Sequence, residues 1–229
     1  MVDNVDIAQQ LVTNLVKIGT DEAQRSSSTS RQLFPLVLSP VEEGNASFVM
    51  LQEYFMANHE KILKAASEYG AVMFSGFEIK SGEEWASVMY KSGIKQMEYV
   101  GGAAVRKLIV GSENRMEDMQ ILTTNESPPS EPIPFHHELA QTPTPPDHIC
   151  FYCSCNDAEG GSTPLIRSDM VYDFLKNKYP DFTAKIEEQG VKYRKVAPEV
   201  DDPSSALGRS WKSMYNVQTR EEAEVKAAE

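Results

Sequence analysis

The stretch Phe135-His136-His137-Glu138-Leu139-Ala140-Gln141 carries the strongest chemical signal in this sequence of 229 residues. In an extended strand, side chains alternate between two faces, so His136 and Glu138 point the same way while His137 points to the other face. An imidazole and a carboxylate with open positions beside them suit non-haem Fe(II), provided that a second histidine completes the ligand set. The spacing therefore predicts a metal site at His136 and Glu138. A histidine two residues before a glutamate also occurs by chance, and the two side chains then form an ordinary polar pair.

Further motifs lie on both sides of this stretch, in a fixed order along the chain. They are Tyr99-Val100-Gly101-Gly102-Ala103-Ala104, Asn125-Glu126, Ile133-Pro134, Phe151-Tyr152-Cys153 and Gly160-Gly161-Ser162-Thr163-Pro164-Leu165. Together the motifs resemble the clavaminate synthase-like branch of the taurine dioxygenase (TauD/TfdA) family, over residues 33–215. The resemblance implies an α+β fold built on a partial double-stranded β-helix, a jelly roll, with flanking helices. It also implies that His136 and Glu138 are iron ligands and that Thr163 donates its hydroxyl to a carboxylate of 2-oxoglutarate.

The function implied by the resemblance is that of an Fe(II)- and 2-oxoglutarate-dependent dioxygenase. Such an enzyme uses O2 to hydroxylate a small organic substrate and converts 2-oxoglutarate to succinate and CO2. The family also needs a second histidine ligand late in the domain, followed by an arginine that holds 2-oxoglutarate. No histidine of this chain follows His148, and His59 is expected to face solvent on a helix. We therefore expect a C-terminally truncated dioxygenase domain. The alternative is a non-catalytic interaction protein that associates through exposed sheet edges or through the N-terminal helix.

Several other polar residues leave two interpretations open. Gln141 and Asn125 either line the substrate side of the site or cap turns. Arg106 either meets an anionic substrate or is a surface charge, and the surface charge is favoured. A rival zinc site would use three cysteines with one histidine, but strand alternation separates their side chains. The residues of that rival site are His148, Cys150, Cys153 and Cys155. Because their side chains do not converge, we expect Cys150 and Cys153 to be small buried apolar side chains instead.

The apolar periodicity predicts the order of helices and strands around the motifs. Residues 1–32 should form an N-terminal helix over 5–18, ended by Gly19, and a serine-rich linker that makes the segment dispensable for folding. The dioxygenase-like domain then spans 33–229. Helices are expected after Ser47, after the capping box of Ser81 and Glu84, after Ser168, over 181–189, and after Thr219. Strands are expected at 70–77, 149–153 and 191–196.

Composition excludes several classes of function. The formal net charge of −12 argues against nucleic-acid binding, which depends on clustered lysine and arginine to displace counterions from phosphates. No apolar run approaches the length of a membrane-spanning helix, and the start of the chain lacks the pattern of a signal peptide. The three cysteines cannot form a closed disulfide framework. A cytoplasmic protein with a small-molecule substrate is therefore expected.

Overall fold

A computed structural model describes residues 6–19, 33–42, 44, 46–99, 102, 105–111, 119–124, 133–156, 162–194, 196–205 and 207–228. These residues form two compact units. Unit 1 is drawn from Met1–Gln96, Leu108–Ile121 and Tyr152–Ser154, and unit 2 from Met97–Lys107, Leu122–Phe151 and Cys155–Glu229.

The elements follow one another as short strands and longer helices. Their bounds are α1 (Ile7–Gln10), β1 (Val16–Ile18), β2 (Leu36–Pro40), α2 (Phe48–Tyr69), β3 (Val72–Phe74), α3 (Gly82–Ser92), β4 (Leu108–Val110), β5 (Ile121–Leu122), α4 (Ser168–Lys178), α5 (Pro180–Gln189), α6 (Trp211–Tyr215) and α7 (Arg220–Ala228). The expected mixture of helix and sheet is confirmed. Within the described ranges, no helix combines the length and the apolar character needed to cross a bilayer.

The N-terminal segment differs from the helix expected over residues 5–18. Helix α1 ends after a single turn, because Thr13 accepts hydrogen bonds from the backbone N–H groups of Leu15 and Val16 and so turns the chain into β1. Gly19 is not a helix cap. It lies so close to β2 that a Cβ there would be 2.3 Å from the Ser39 hydroxyl oxygen.

This segment packs into the core of unit 1, whereas the sequence predicted a dispensable appendage. The side chains of Ile7, Leu11 and Val16 are at most 4% exposed and belong to the same apolar cluster as helix α2. The predicted linker over 20–32 lies outside the described residues. The domain boundary near residue 33 stays a prediction.

Strand β2 is the centre of a three-stranded sheet. It pairs antiparallel with β1 and parallel with β3, with Leu36 opposite Val72 and Leu38 opposite Phe74. Because β2 has a neighbour on each side and helices over the sheet, Leu36, Val37 and Leu38 are fully buried. A separate two-stranded sheet joins β4 and β5. The expected double-stranded β-helix stays a prediction, since the described strands form only these two small sheets.

Helices α2 and α3 cover unit 1 through the apolar stripes expected from the sequence. Ser47 caps α2 by accepting from the Met50 N–H, and Gly70 ends it at a φ of 82°. The capping box that begins α3 is confirmed, since the Ser81 hydroxyl accepts from the Glu84 N–H at 3.2 Å. Trp85, Val88 and Met89 form the buried stripe of α3.

Unit 2 contains the four helices α4 to α7. The helix predicted after Ser168 is confirmed as α4, and α5 ends at Gly190 as expected. The capping box before α7 is also confirmed, because the Glu222 N–H donates to the Thr219 hydroxyl at 3.2 Å. Two expected strands are wrong: the described residues of 149–153 and 191–196 have no ladder partner. Their apolar side chains, including Ile149, are largely exposed.

Candidate functional site

The stretch 135–141 forms a turn and not the extended strand expected from its alternation. Residues 138–141 reverse the chain, and Leu139 adopts a left-handed conformation with a φ of 53°. Two hydrogen bonds close the turn, from the Ala140 N–H to the His137 carbonyl and from the Thr142 N–H to the Leu139 carbonyl. The Leu139 side chain is only 5% exposed, so its burial anchors the turn.

The turn nevertheless brings the two candidate metal ligands together. The His136 Nε2 atom lies 3.8 Å from a carboxylate oxygen of Glu138. The other ring nitrogen of His136, Nδ1, is 2.7 Å from the carbonyl oxygen of Pro134. Because a carbonyl oxygen can only accept, Nδ1 carries the hydrogen in this bond, and Nε2 is the ring nitrogen nearer Glu138. Metal-binding histidines are oriented by a partner of this kind.

His137 faces a different partner, as the alternation predicted. Its Nε2 atom is 2.7 Å from the hydroxyl oxygen of Ser168, the first residue of α4. This bond ties the loop that carries His136 and Glu138 to the start of a helix. His137 is therefore engaged elsewhere and is not gathered with the other two side chains.

Thr163, the residue expected to hold 2-oxoglutarate, lies in an irregular segment before α4. Its side chain is exposed, and it makes no hydrogen bond to His136 or Glu138 within the described part of the chain. The glycines expected to allow close approach of a ligand, Gly160 and Gly161, lie outside the described residues, as does Asn125. Gln141 is exposed at the end of the turn.

The cysteines do not behave as the sequence predicted. Cys150, Cys153 and Cys155 all remain as exposed thiols, so the expectation of small buried apolar groups is wrong. The apolar run around them lies on the surface, since Ile149 and Phe151 are each more than half exposed. No cluster of three or more His, Cys, Asp or Glu side chains that could hold a metal occurs in the described ranges.

Sequence reasoning missed a cluster around Tyr99 in the same unit. The guanidinium carbon of Arg209 lies 5.2 Å from the centre of the Tyr99 ring, and that of Arg106 lies 5.7 Å from it. Burial raises the pKa of the Tyr99 phenol, and the negative charge of Glu138 adds to the increase, while hydrogen bonding from Arg106 opposes it. The only sequence signal was an arginine near a glycine-rich motif.

The candidate ligands fit Fe(II) as two members of a 2-His-1-carboxylate set. The donor types are correct for this metal, and the orientation of His136 leaves its Nε2 atom available beside Glu138. The third member has no candidate at the site, since the remaining histidines of the sequence are His59, His137 and His148.

Comparison with known proteins agrees with the resemblance seen in the motifs. The family described as "Taurine catabolism dioxygenase TauD, TfdA family" matches residues 35–224. A clavaminate synthase-like protein of Arabidopsis thaliana is 36% identical over 200 residues, which cover 86% of this chain and 58% of that protein. The dapdiamide synthesis protein DdaC of Enterobacter agglomerans is 22% identical over 180 residues, which cover 79% of this chain and 49% of that protein. The chain thus spans about half the length of these curated relatives.

Proposed function

The chain belongs to the taurine catabolism dioxygenase TauD, TfdA family, and we propose that it contributes the iron- and 2-oxoglutarate-binding region of an Fe(II)-dependent dioxygenase. The substrate class is a small organic molecule with a C–H bond to be hydroxylated. The observation that carries the proposal is the approach of His136 Nε2 to the Glu138 carboxylate at 3.8 Å. A cytoplasmic location is part of the same proposal.

In this function the residues of the turn hold and orient the metal. His136 Nε2 and one carboxylate oxygen of Glu138 would be the ligands, and the Pro134 carbonyl would fix the orientation of the imidazole. Bound iron, with 2-oxoglutarate and O2, supplies the oxidising chemistry. Thr163 would donate a hydrogen bond from its hydroxyl to a carboxylate of 2-oxoglutarate. His137, which contacts Ser168, would take no part in holding the metal.

The test is metal binding by substituted chains, measured with Mn(II) as a redox-stable substitute for Fe(II). Loss of the free Mn(II) signal in electron paramagnetic resonance gives the affinity directly. His136→Ala and Glu138→Ala should each weaken binding by more than about tenfold, because loss of even an outer-shell partner costs that much. His137→Ala is the matched control, since it removes an adjacent imidazole that faces Ser168. Equal weakening by the His136 and His137 substitutions would overturn the assignment.

A second candidate function, a non-catalytic interaction protein, is supported by the exposed apolar side chains of unit 2. Helix α4 buries no residue and α5 buries only Thr183, while Phe174 and Phe182 are each more than half exposed. Surfaces of this kind often mark protein contacts. If the chain is an interaction protein, Phe182→Asp should abolish self-association in sedimentation measurements, and Mn(II) should bind no better to the unsubstituted chain than to His136→Ala. The edges of the small sheets, β1 and β3, are the other surfaces where self-association is proposed.

A further inference from the structure

The cluster around Tyr99 contains two arginines with different roles. Arg209 is fully used in holding the structure together. Its guanidinium donates to the backbone carbonyls of Tyr99 at 3.3 Å and Ser213 at 2.7 Å, and to the Ser213 hydroxyl at 3.3 Å. Burial lowers the pKa of Arg209, and the negative charge of the nearby Asp201 opposes this decrease.

Arg106 is held differently. Its guanidinium lies against Tyr99, 5.7 Å from the ring centre, and is half-buried. No carboxylate of the described residues lies within ion-pair distance of it. Arg167 and Arg220, by contrast, pair with Asp169 and Glu224. The sequence has 34 acidic residues against 22 lysines and arginines, and none of the carboxylates that the structure describes pairs with Arg106.

The tyrosine that supports Arg106 is fixed from more than one direction. The backbone of Gly102 packs against the phenol end of the ring, so closely that a Cβ at this position would lie 2.1 Å from Cζ and 2.3 Å from the hydroxyl oxygen. The backbone of Tyr99 is held by Arg209. Because the ring cannot shift freely, Arg106 rests on a fixed support, which lowers the entropic cost of ordering its guanidinium when a ligand binds.

We propose that Arg106 binds a carboxylate of the primary substrate. A guanidinium presents parallel N–H donors that match the two oxygens of a carboxylate, and a half-buried position strengthens the pair. The identity of the ligand as the primary substrate rests on the proposed function, whereas binding of an anion by Arg106 does not.

The proposal is tested with hexanoate as the probe and hexanamide as its uncharged equivalent. Binding to the full 229-residue chain is followed by the Nε–Hε signals of the arginines in proton–nitrogen correlation spectra. Hexanoate should shift the Arg106 signal with saturation, and hexanamide should leave it unchanged. Arg106→Gln should weaken hexanoate binding by about tenfold or more, since a charge-assisted pair is lost. The control Arg220→Gln removes an exposed arginine that is paired with Glu224 on α7, and it should leave the affinity unchanged.

Three outcomes would overturn the proposal. Equal weakening by the two glutamine variants would mean that the probe responds only to overall charge. A hexanoate affinity unchanged in Arg106→Gln would exclude the residue as the receptor. If Arg106→Gln weakens 2-oxoglutarate binding by the same factor as hexanoate binding, the anion held is the co-substrate. Should the glutamine variant fail to fold, Arg106→Lys replaces it. Lysine keeps the positive charge but lacks the paired N–H donors of a guanidinium, so hexanoate binding should still weaken. Mn(II) affinity, measured separately on His136→Ala, reports failure of the iron site independently.

Discussion

At the scale of single residues, the position of Tyr99 depends on the absence of a side chain at Gly102. A methyl group at this position would meet Cζ of the tyrosine at 2.1 Å, which is far inside van der Waals contact. The ring cannot yield easily because Arg106 and Arg209 both lie against it. We expect Gly102→Ala to cost roughly 1–3 kcal/mol of unfolding free energy, as overpacking does, in urea titrations.

The control for this substitution removes the Tyr99 ring, with which the added methyl group would clash. In a Tyr99→Ala background the added methyl group has room, so Gly102→Ala should be nearly neutral there. The difference between the two backgrounds isolates the contact between residues 99 and 102. A cost that is the same in both backgrounds would show that the glycine matters for its backbone and not for the tyrosine.

The sequence predicted which side chains of the candidate site lie together, but for an incomplete reason. Strand alternation places His136 with Glu138 and His137 apart, and the structure has this grouping although the backbone is a turn around Leu139. Arg106 was favoured as a surface charge. The cluster also depends on Arg209, whose contact with Tyr99 joins residues 110 positions apart in the sequence. No local pattern encodes such a contact, because only the folded chain brings the partners within reach.

At the scale of elements, the N-terminal segment provides part of the core of unit 1. Leu11 is completely buried, whereas Leu15, four residues later, is 49% exposed. Leu11→Ala should therefore cost about 2–5 kcal/mol, the range for a buried leucine that leaves a cavity. Leu15→Ala is the matched control and should change stability by less than about 1 kcal/mol. Thermal or urea unfolding of the two variants would decide, and equal costs would contradict the burial of α1 and β1.

The attachment of α1 also has a pH dependence. Hydrogen bonding from the Ala8 N–H, and then from the Tyr69 hydroxyl at 2.7 Å, lowers the pKa of Asp6 in the folded state. A lowered pKa means that the stabilisation is fully present above the unfolded pKa, near 4, and is lost as pH falls through the folded value. The stability advantage over Asp6→Asn should therefore be constant between pH 5 and 7 and shrink below about pH 4.

Urea titrations of the two chains across this range measure that difference. Asparagine keeps the capping oxygen but carries no charge, so the comparison isolates ionisation of the carboxyl group. A difference that grows as the solution becomes more acidic would mean that Asp6 is stabilised in its protonated form. The hydrogen bonds with Ala8 and Tyr69 would then involve the neutral carboxyl group of Asp6 and not its carboxylate.

The amphipathic helices were predictable, and two of the strands were not. Periodicity places Leu51, Phe55 and Ile62 on one face of α2, and the structure buries all three. The apolar run at 149–153 predicts a strand only if neighbours pair with its backbone. Instead Tyr152 inserts alone, stacking on Trp85 with 6.2 Å between ring centres and donating to the Ile79 carbonyl at 2.9 Å. An apolar run indicates that side chains tend to be buried. Whether its backbone also forms a strand depends on the presence of a neighbouring strand from elsewhere in the chain.

At the scale of the whole molecule, the proposed chemistry needs groups that this chain does not supply from its own histidines. The chain spans 58% of the Arabidopsis relative and 49% of the Enterobacter relative. Its acidic balance, a formal charge of −12, also opposes capture of a dianion such as 2-oxoglutarate. Affinity for the co-substrate must therefore come from local donors. Thr163 contributes a neutral hydroxyl bond of about 1 kcal/mol, which is weaker than the charge-assisted contact that an arginine makes.

We therefore expect the 229-residue chain to release little succinate from 2-oxoglutarate, even with Fe(II), ascorbate and O2 present. Two candidate ligands, His136 and Glu138, hold a metal less tightly than three, and a missing ligand should cost at least the 10- to 100-fold typical of an outer-shell partner. The comparison is a longer form of the protein that contains a second histidine and an arginine. It should turn over 2-oxoglutarate, and its His136→Ala variant should not. Equal turnover by the short and long forms would place the third ligand elsewhere, for example on a second copy of the chain. Mixing His136→Ala chains with unsubstituted ones would then lower the activity more than dilution does.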